Sequence, residues 1–388
     1  MAVLFILFAI AMGIATFIEN DYGTQTSKAL VYNTWWFEAI MIFFVINFFG
    51  NIFRYRLYRK EKWAVLLFHI SFLFILIGAG ITRYIGHEGI MAIQEGNISN
   101  TYFSETTYLN VIIDDSAEQK SPIHQPILLS GWGSNNWGFT TSFKGQEIDF
   151  KLVDYIPWAQ QKFEEDENGD EYLFVVESSS GSRHEHYIKR GTVENIHNIL
   201  VGFDAPAESA TINISSSDSG LQIKAGTDGD FTRMADQFKG TVVKDSVQEF
   251  QLRSLYNVAG LPFVVPNPVQ KGKMTTIRGP KNNDVLDSDM IVLDITTNNK
   301  TERVEMTGGK FNSRNSVQVT VDNLNFRMLY GSQILETPFH VKLRDFQLEK
   351  YPGSESAASY ASEVTVISPE ETFDYRIYMN HILDYKGY

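Results

Sequence analysis

There is no cysteine among these 388 residues. That absence excludes thiol–disulfide exchange, thiolate-held iron–sulfur clusters and disulfide staples, even for a domain facing an oxidising compartment. Redox work on thiols therefore belongs to a partner, a thiol-reducing one. Positive charge is scarce too: 33 Lys and Arg stand against 46 Asp and Glu, a net charge of −13. The deficit is uneven, with 7 basic against 4 acidic residues up to Tyr84 and 26 against 42 beyond it, so the two parts carry +3 and −16. An acidic region of that size repels a phosphate backbone, and no nucleic-acid partner is expected. Nucleophile elbows, phosphate loops and zinc-helix motifs are missing, as is any internal repeat of fixed period.

What is present in abundance is apolar, and it is crowded at the front. Residues 2–18, 35–53 and 63–84 are three runs that reach or approach the 18 to 20 apolar residues needed to cross a bilayer. The first starts at Met1 without the basic flank of a signal peptide, so it reads as a membrane helix whose true start lies upstream. Between the second and third runs, residues 54–62 hold Arg54, Arg56, Arg59, Lys60 and Lys62, which marks a cytoplasmic loop. The loop expected at residues 19–34 holds only Lys28 against Glu19 and Asp21, as an outer loop should. Everything after Tyr84 then lies outside the cytoplasm. Trp35, Trp36 and Trp63 stand where interfacial aromatic belts are expected, and Gly13, Gly78 and Gly80 suggest close helix contacts.

His69 is the only ionisable side chain of the third run before Arg83. Six residues past Trp63, it lies about 9 Å inside the cytoplasmic boundary at a helical rise of roughly 1.5 Å per residue. An imidazole there is costly unless something binds it. Its helical neighbours Val65, Leu66, Phe72 and Leu73 offer no side-chain hydrogen bond, so its partner is expected on another helix or on a ligand. Asn47, at similar depth on the second helix, is the structural candidate, and on residue chemistry alone a structural and a ligand histidine weigh about equally.

From residue 85 the chain reads as strands, at 108–114, 148–155, 172–177, 211–215, 290–297, 316–321, 339–348, 363–368 and 373–379. Nine short strands spaced by Gly, Asn, Asp and Ser favour a sandwich or barrel-like domain over 85–388, behind a three-helix membrane segment over 1–84. Asn168-Gly169 reads as a hairpin turn, residues 231–238 as a short helix, and 178–182, 215–220 and Asn298-Asn299 as surface loops. Asp166, Asn168, Asp170 and Glu177 imitate part of a calcium loop, but Glu171 stands where its central glycine belongs. His184 and His186 alternate and could share a metal, although no third ligand sits at a familiar spacing and an exposed strand edge is the commoner outcome. Trp132 and Trp137 read as aromatic packing.

Several stretches resemble the ResB (CcsB) family of cytochrome c biogenesis proteins. They are Ala15-Thr-Phe-Ile-Glu, Trp36-Phe-Glu, Phe68-His-Ile-Ser-Phe with Gly78-Ala-Gly-Ile-Thr-Arg, and Pro338-Phe-His-Val-Lys-Leu-Arg-Asp-Phe, followed by Tyr351-Pro-Gly and Ser362-Glu-Val-Thr-Val. The resemblance implies a multi-pass protein of the bacterial cytoplasmic membrane with its large domain on the periplasmic face. It implies a subunit of the system II cytochrome c synthase that acts with a CcsA-like haem-handling partner, separate or fused, to move haem across the membrane and attach it to the CXXCH cysteines of apocytochrome c. His69 matches the family's third-helix histidine, an axial haem ligand, and a second axial histidine would come from the partner. The family places a fourth membrane helix after the outer domain and a tryptophan-rich motif in the partner, which points to the front portion of a fused ResB–CcsA chain. The alternative function is a membrane-anchored β-sandwich scaffold in which His69 is purely structural.

Overall fold

The computed structural model describes residues 1–178, 183–206, 209–217, 220–280, 289–312 and 315–388. Three helices open the chain: α1, Ala2–Ser27; α2, Trp35–Arg54; and α3, Trp63–Tyr84. All three are long and apolar enough to span a bilayer, and the last two fall where the hydropathy placed them. The first outruns its expected end at residue 18. It continues to Ser27 and then through a π-helical turn, Lys28–Tyr32, so the expected loop over 19–34 is mostly helical. The polar residues after Ile18 leave the apolar run without leaving the helix, because this segment docks on β-structure. Tyr22 stacks on Trp132 with ring centroids 5.8 Å apart, and the Gly131 N–H donates to Thr26 Oγ1 at 2.9 Å. The bend between the two parts of α1 is at Gly23, whose φ of 83° suits a residue without Cβ. Beyond it the chain turns back far enough for Ser27 Oγ to donate to the Ala15 carbonyl at 3.2 Å.

Gly13, Gly78 and Gly80 do not mediate helix contacts within this chain. A Cβ built on any of them meets nothing within 4 Å, so the expected close packing is replaced by open space. α3 has no buried residue at all.

The rest is mostly strand, and all nine expected strands fall on observed ones. The compact units do not follow a division at residue 84. One unit comprises residues 1–159 and 278–388, and residues 160–277 form a second. In the first, Ile98–Asp114 pairs antiparallel with the long strand Leu324–Lys350 at the centre of a seven-stranded sheet. A four-stranded sheet, Gly138–Phe143, Gln146–Ile156, Asp289–Thr297 and Lys300–Gly308, contributes to the same core. Alternate residues turn inward: Leu109, Val111 and Ile113 from one sheet meet Ile148, Phe150 and Leu293 from the other. Each such side chain contributes about 1.5–3 kcal/mol by leaving water. Farther along, Phe339 and Val341 of the long strand join Val364 and Val366 in a second, smaller core. Asn298 and Asn299, expected as a surface loop, form a tight two-residue turn with φ of 50° and 62° between paired strands.

Residues 160–277 bury Leu173, Val175, Phe203, Ile214, Tyr256 and Phe263 in a core of their own. Two expectations fail in this unit. Asn168-Gly169 is no hairpin turn but lies inside the strand Ala159–Glu177. Gly169 is needed there because a Cβ would stand 2.3 Å from the Gly272 carbonyl oxygen of the neighbouring strand, a close approach rather than a reversal. Residues 231–238 form no helix: Phe231 belongs to the strand Gly229–Arg233, stacks on Tyr256 at 5.0 Å, and is followed by a turn that Arg233 and Asp236 close. Of the expected Ser-rich loops, 179–182 and 218–219 lie outside the described residues, whereas 215–217 are strand.

Candidate functional site

His69 is half-buried on α3, four residues beyond Val65. Its Nδ1 lies 2.9 Å from the Val65 carbonyl oxygen. No side chain on the same helix can bond the ring, and the backbone one turn back supplies the partner. A carbonyl can only accept, so Nδ1 carries the proton in this contact and Nε2 of the neutral ring presents its lone pair. Among the described residues Nε2 has no hydrogen-bond partner. Asn47 does not supply one, since its amide donates to its own helix at the Phe43 carbonyl, 3.2 Å away. The structure thus leaves His69 and Asn47 unbonded to each other and satisfies each within its own helix.

The surroundings of the ring are aromatic. Phe48 of α2, only 2% exposed, meets the imidazole edge-on at 5.4 Å and 82°, and Phe68 approaches at 6.1 Å and 66°. Phe48 is held in turn by Phe72, parallel at 5.0 Å. Phe48 escaped the sequence reading because one phenylalanine in a phenylalanine-rich span carries no signal. The geometry fixes ring orientation and tautomer, surrounds the ring with apolar walls, and leaves one nitrogen able to coordinate a metal centre.

The outer end of α3 is built differently. The Arg83 guanidinium donates to the Tyr32 carbonyl at 2.6 Å and pairs with Glu38 of α2, which also accepts from Tyr84 Oη at 2.8 Å. This lock was not foreseen, although opposite charges at the same end of two apolar runs were a readable signal. Beside it, Glu105 lies 3.2 Å from Lys28 and 2.7 Å from Lys310, while Glu88 is 3.9 Å from Lys28. The contact with Glu88, together with the two facing lysines, holds the Glu105 carboxyl down to about 2, and the same contact raises Glu88.

The remaining candidates resolve into ordinary contacts. Asp166 and Asp170 face lysines, Lys273 at 3.9 Å and Lys189 at 2.5 Å. His186 lies on the strand His184–Lys189, its Nδ1 2.8 Å from Glu194, and Glu177 accepts from His197 Nε2 at 3.0 Å. Trp132 stacks on Tyr22, and the Trp137 indole N–H donates to the Pro126 carbonyl at 3.0 Å.

Comparison with known proteins bears on the whole chain. Residues 305–388, which include the long central strand and two of the three strands paired with it, match the ResB-like family model. The chain is also 24% identical over 390 residues to protein NrfI of Wolinella succinogenes, an alignment covering 100% of this chain and 29% of that protein. The chain therefore spans less than a third of the length of that relative. These matches bear out the resemblance to the ResB family that the helix and strand motifs suggested.

Proposed function

We propose that this chain acts in cytochrome c biogenesis as a haem-handling membrane subunit in which His69 is an axial ligand of the haem iron. The observation that carries the reading is the state of the imidazole: Nδ1 is committed to the Val65 carbonyl and Nε2 is left with its lone pair inside apolar surroundings. That is the arrangement a haem-ligating histidine needs, because the backbone bond orients the ring and raises its basicity while the other nitrogen stays available. Haem is cargo here, and its iron is what a histidine at this depth can retain during passage. Phe48 and Phe68 supply walls compatible with an apolar macrocycle, and the uncovered α3 leaves room for a second helix bundle to contribute the opposite ligand.

The partners follow from what the chain lacks. Without cysteine it cannot reduce the thiols of apocytochrome c, and no second histidine stands on α1, α2 or α3, so we assign the second axial ligand to a CcsA-like haem-handling protein or fused domain and thiol reduction to a further partner. The basic loop at residues 54–62 favours the cytoplasmic side for the His69 end of the bundle and the periplasmic side for the β-domain. The rival reading, a scaffold with a structural His69, draws on the same Val65 bond, which already satisfies half of the imidazole.

An absorption spectrum of the protein purified with its partner tests the choice. The wild type is expected to carry bis-histidine haem bands. His69→Ala should lose haem and cytochrome c maturation together, and His69→Gly should regain haem when imidazole is added. Full haem occupancy and normal maturation in His69→Ala would sink the ligand assignment and leave the scaffold.

A further inference from the structure

A cavity of about 1110 Å³ lies where α2 and α3 meet the beginning of the β-structure, at the end of α3 opposite His69. One part of its wall is apolar. Phe37, Met41 and Val45 recur every fourth residue along α2, and Leu76, Ala79 and Gly80 of α3 line the same space. From Phe37 to Val45 that wall runs about 12 Å at 1.5 Å per residue, most of the roughly 15 Å of hydrocarbon in one leaflet. The space beside Gly80 is open, and a Cβ there would meet nothing within 4 Å.

The other part of the wall is charged, with both signs. Lys28, Glu88, Glu105 and Lys310 line it, two cations and two carboxylates held within 2.7 to 3.9 Å of one another. Glu88 is the most loosely held of the four: its side chain is 58% exposed and its cation Lys28 stands 3.9 Å away. Arg83 and Glu38 also line the space as a pair of their own, which leaves the balance of charge unchanged.

Two bodies are long and apolar enough for such a space, a helix and an acyl chain. A helix about 10 Å across would have to stop among four charged groups, beneath Thr106, Pro126 and Trp137 of the β-structure, which line the same cavity. A lipid changes from apolar to charged at that level by its own chemistry. We propose that this cavity binds an acyl chain of one phospholipid whose zwitterionic head, a phosphate bearing an ammonium, lies among Lys28, Lys310, Glu105 and Glu88. The phosphate falls to the two lysines and the ammonium to the exposed Glu88 carboxylate. A head carrying only negative charge would satisfy the lysines and be repelled by the carboxylates, so the balanced cluster selects the zwitterion.

The test uses the full chain purified in detergent and exchanged into mixed micelles of phosphatidylethanolamine and phosphatidylglycerol in equal amounts. Native mass spectrometry should then find about one phosphatidylethanolamine per chain, with a preference of about tenfold over phosphatidylglycerol, the factor that 1.4 kcal/mol supplies. Gly80→Leu should empty the cavity of lipid, whereas Glu88→Gln should keep a lipid but lose the preference. If Gly80→Leu does not fold, Lys310→Ala, a partly exposed position, is expected to weaken retention of either lipid. Retention of no lipid, equal retention of both by the wild type, full occupancy in a folded Gly80→Leu, or a haem or a foreign helix in the space would each overturn the proposal. The haem bands of the His69 variants are a separate readout, so failure here leaves the His69 assignment untouched.

Discussion

The membrane helices and the unit of residues 160–277 treat a histidine in opposite ways. His186, in the β unit, is held by carboxylates: Nδ1 lies 2.8 Å from Glu194, and the fully buried side chain of Glu177 faces Nε2 at 3.9 Å, beyond hydrogen-bond reach. His69, in α3, has only a backbone carbonyl of its own helix. A carboxylate draws a proton onto an imidazole and keeps it as an ion pair. A carbonyl fixes the tautomer of a neutral imidazole and leaves the second nitrogen free. The first arrangement suits a group that stabilises the fold, and the second is the one the proposed ligand role would use.

If that contrast is right, the largest effect should come from the carboxylate that serves the β unit. Glu177 accepts from His197 at 3.0 Å while also facing His186, so Glu177→Ala strands two imidazoles and opens a hole. A loss of about 2–4 kcal/mol is expected, below the full cost of breaking a deeply buried pair because His197 is half exposed. Hydrogen exchange across residues 160–277 in the full chain should show it. Protection unchanged within experimental error would mean that the cluster is ornamental.

His186 itself should show its role through pH. The bond to Glu194, with Glu177 nearby, raises it above the ordinary imidazole value against the opposing effect of burial. A raised folded value means that the protonated form is favoured by folding. The contribution is therefore fully present below the unfolded value of about 6.5 and is lost as pH rises through the folded one. Protection of residues 160–277 should decline on going from mildly acid to mildly alkaline buffer, and His186→Ala should flatten the profile and cost about 1–2 kcal/mol at the acid end. A wild-type profile that rises over that range would reverse the sign and refute the pairing.

How much of this was readable beforehand differs between the two regions for a physical reason. α2 and α3 were legible because a bilayer imposes a length and an apolar composition that few other constraints imitate, and His69 stood out as the exception to that composition. The strands were legible through period-two alternation, as at Leu109, Val111 and Ile113. What failed was local punctuation whose meaning is set by distant residues. Gly169 looked like a turn until Gly272 lay against it, and the polar end of α1 looked like a loop until Trp132 and Gly131 docked on it. The same distance hid Glu177 and His197, 20 residues apart, a spacing that no local rule reads.

The smallest expected effect on stability is at the residue with the largest expected effect on function. His69→Ala removes one bond to a helical carbonyl that already belongs to the α3 ladder, together with edge contacts to Phe48 and Phe68. No side chain is left holding an unpaired charge, so the cost should stay below about 1 kcal/mol, that of a single neutral hydrogen bond. Thermal unfolding of the detergent-solubilised protein without haem measures it. A loss comparable to that of Glu177→Ala would mean that α3 depends on the imidazole for its own packing and that the ring is not held in reserve. A near-neutral result, alongside lost haem bands in the protein purified with its partner, would separate the proposed ligand role from a structural one at a single position.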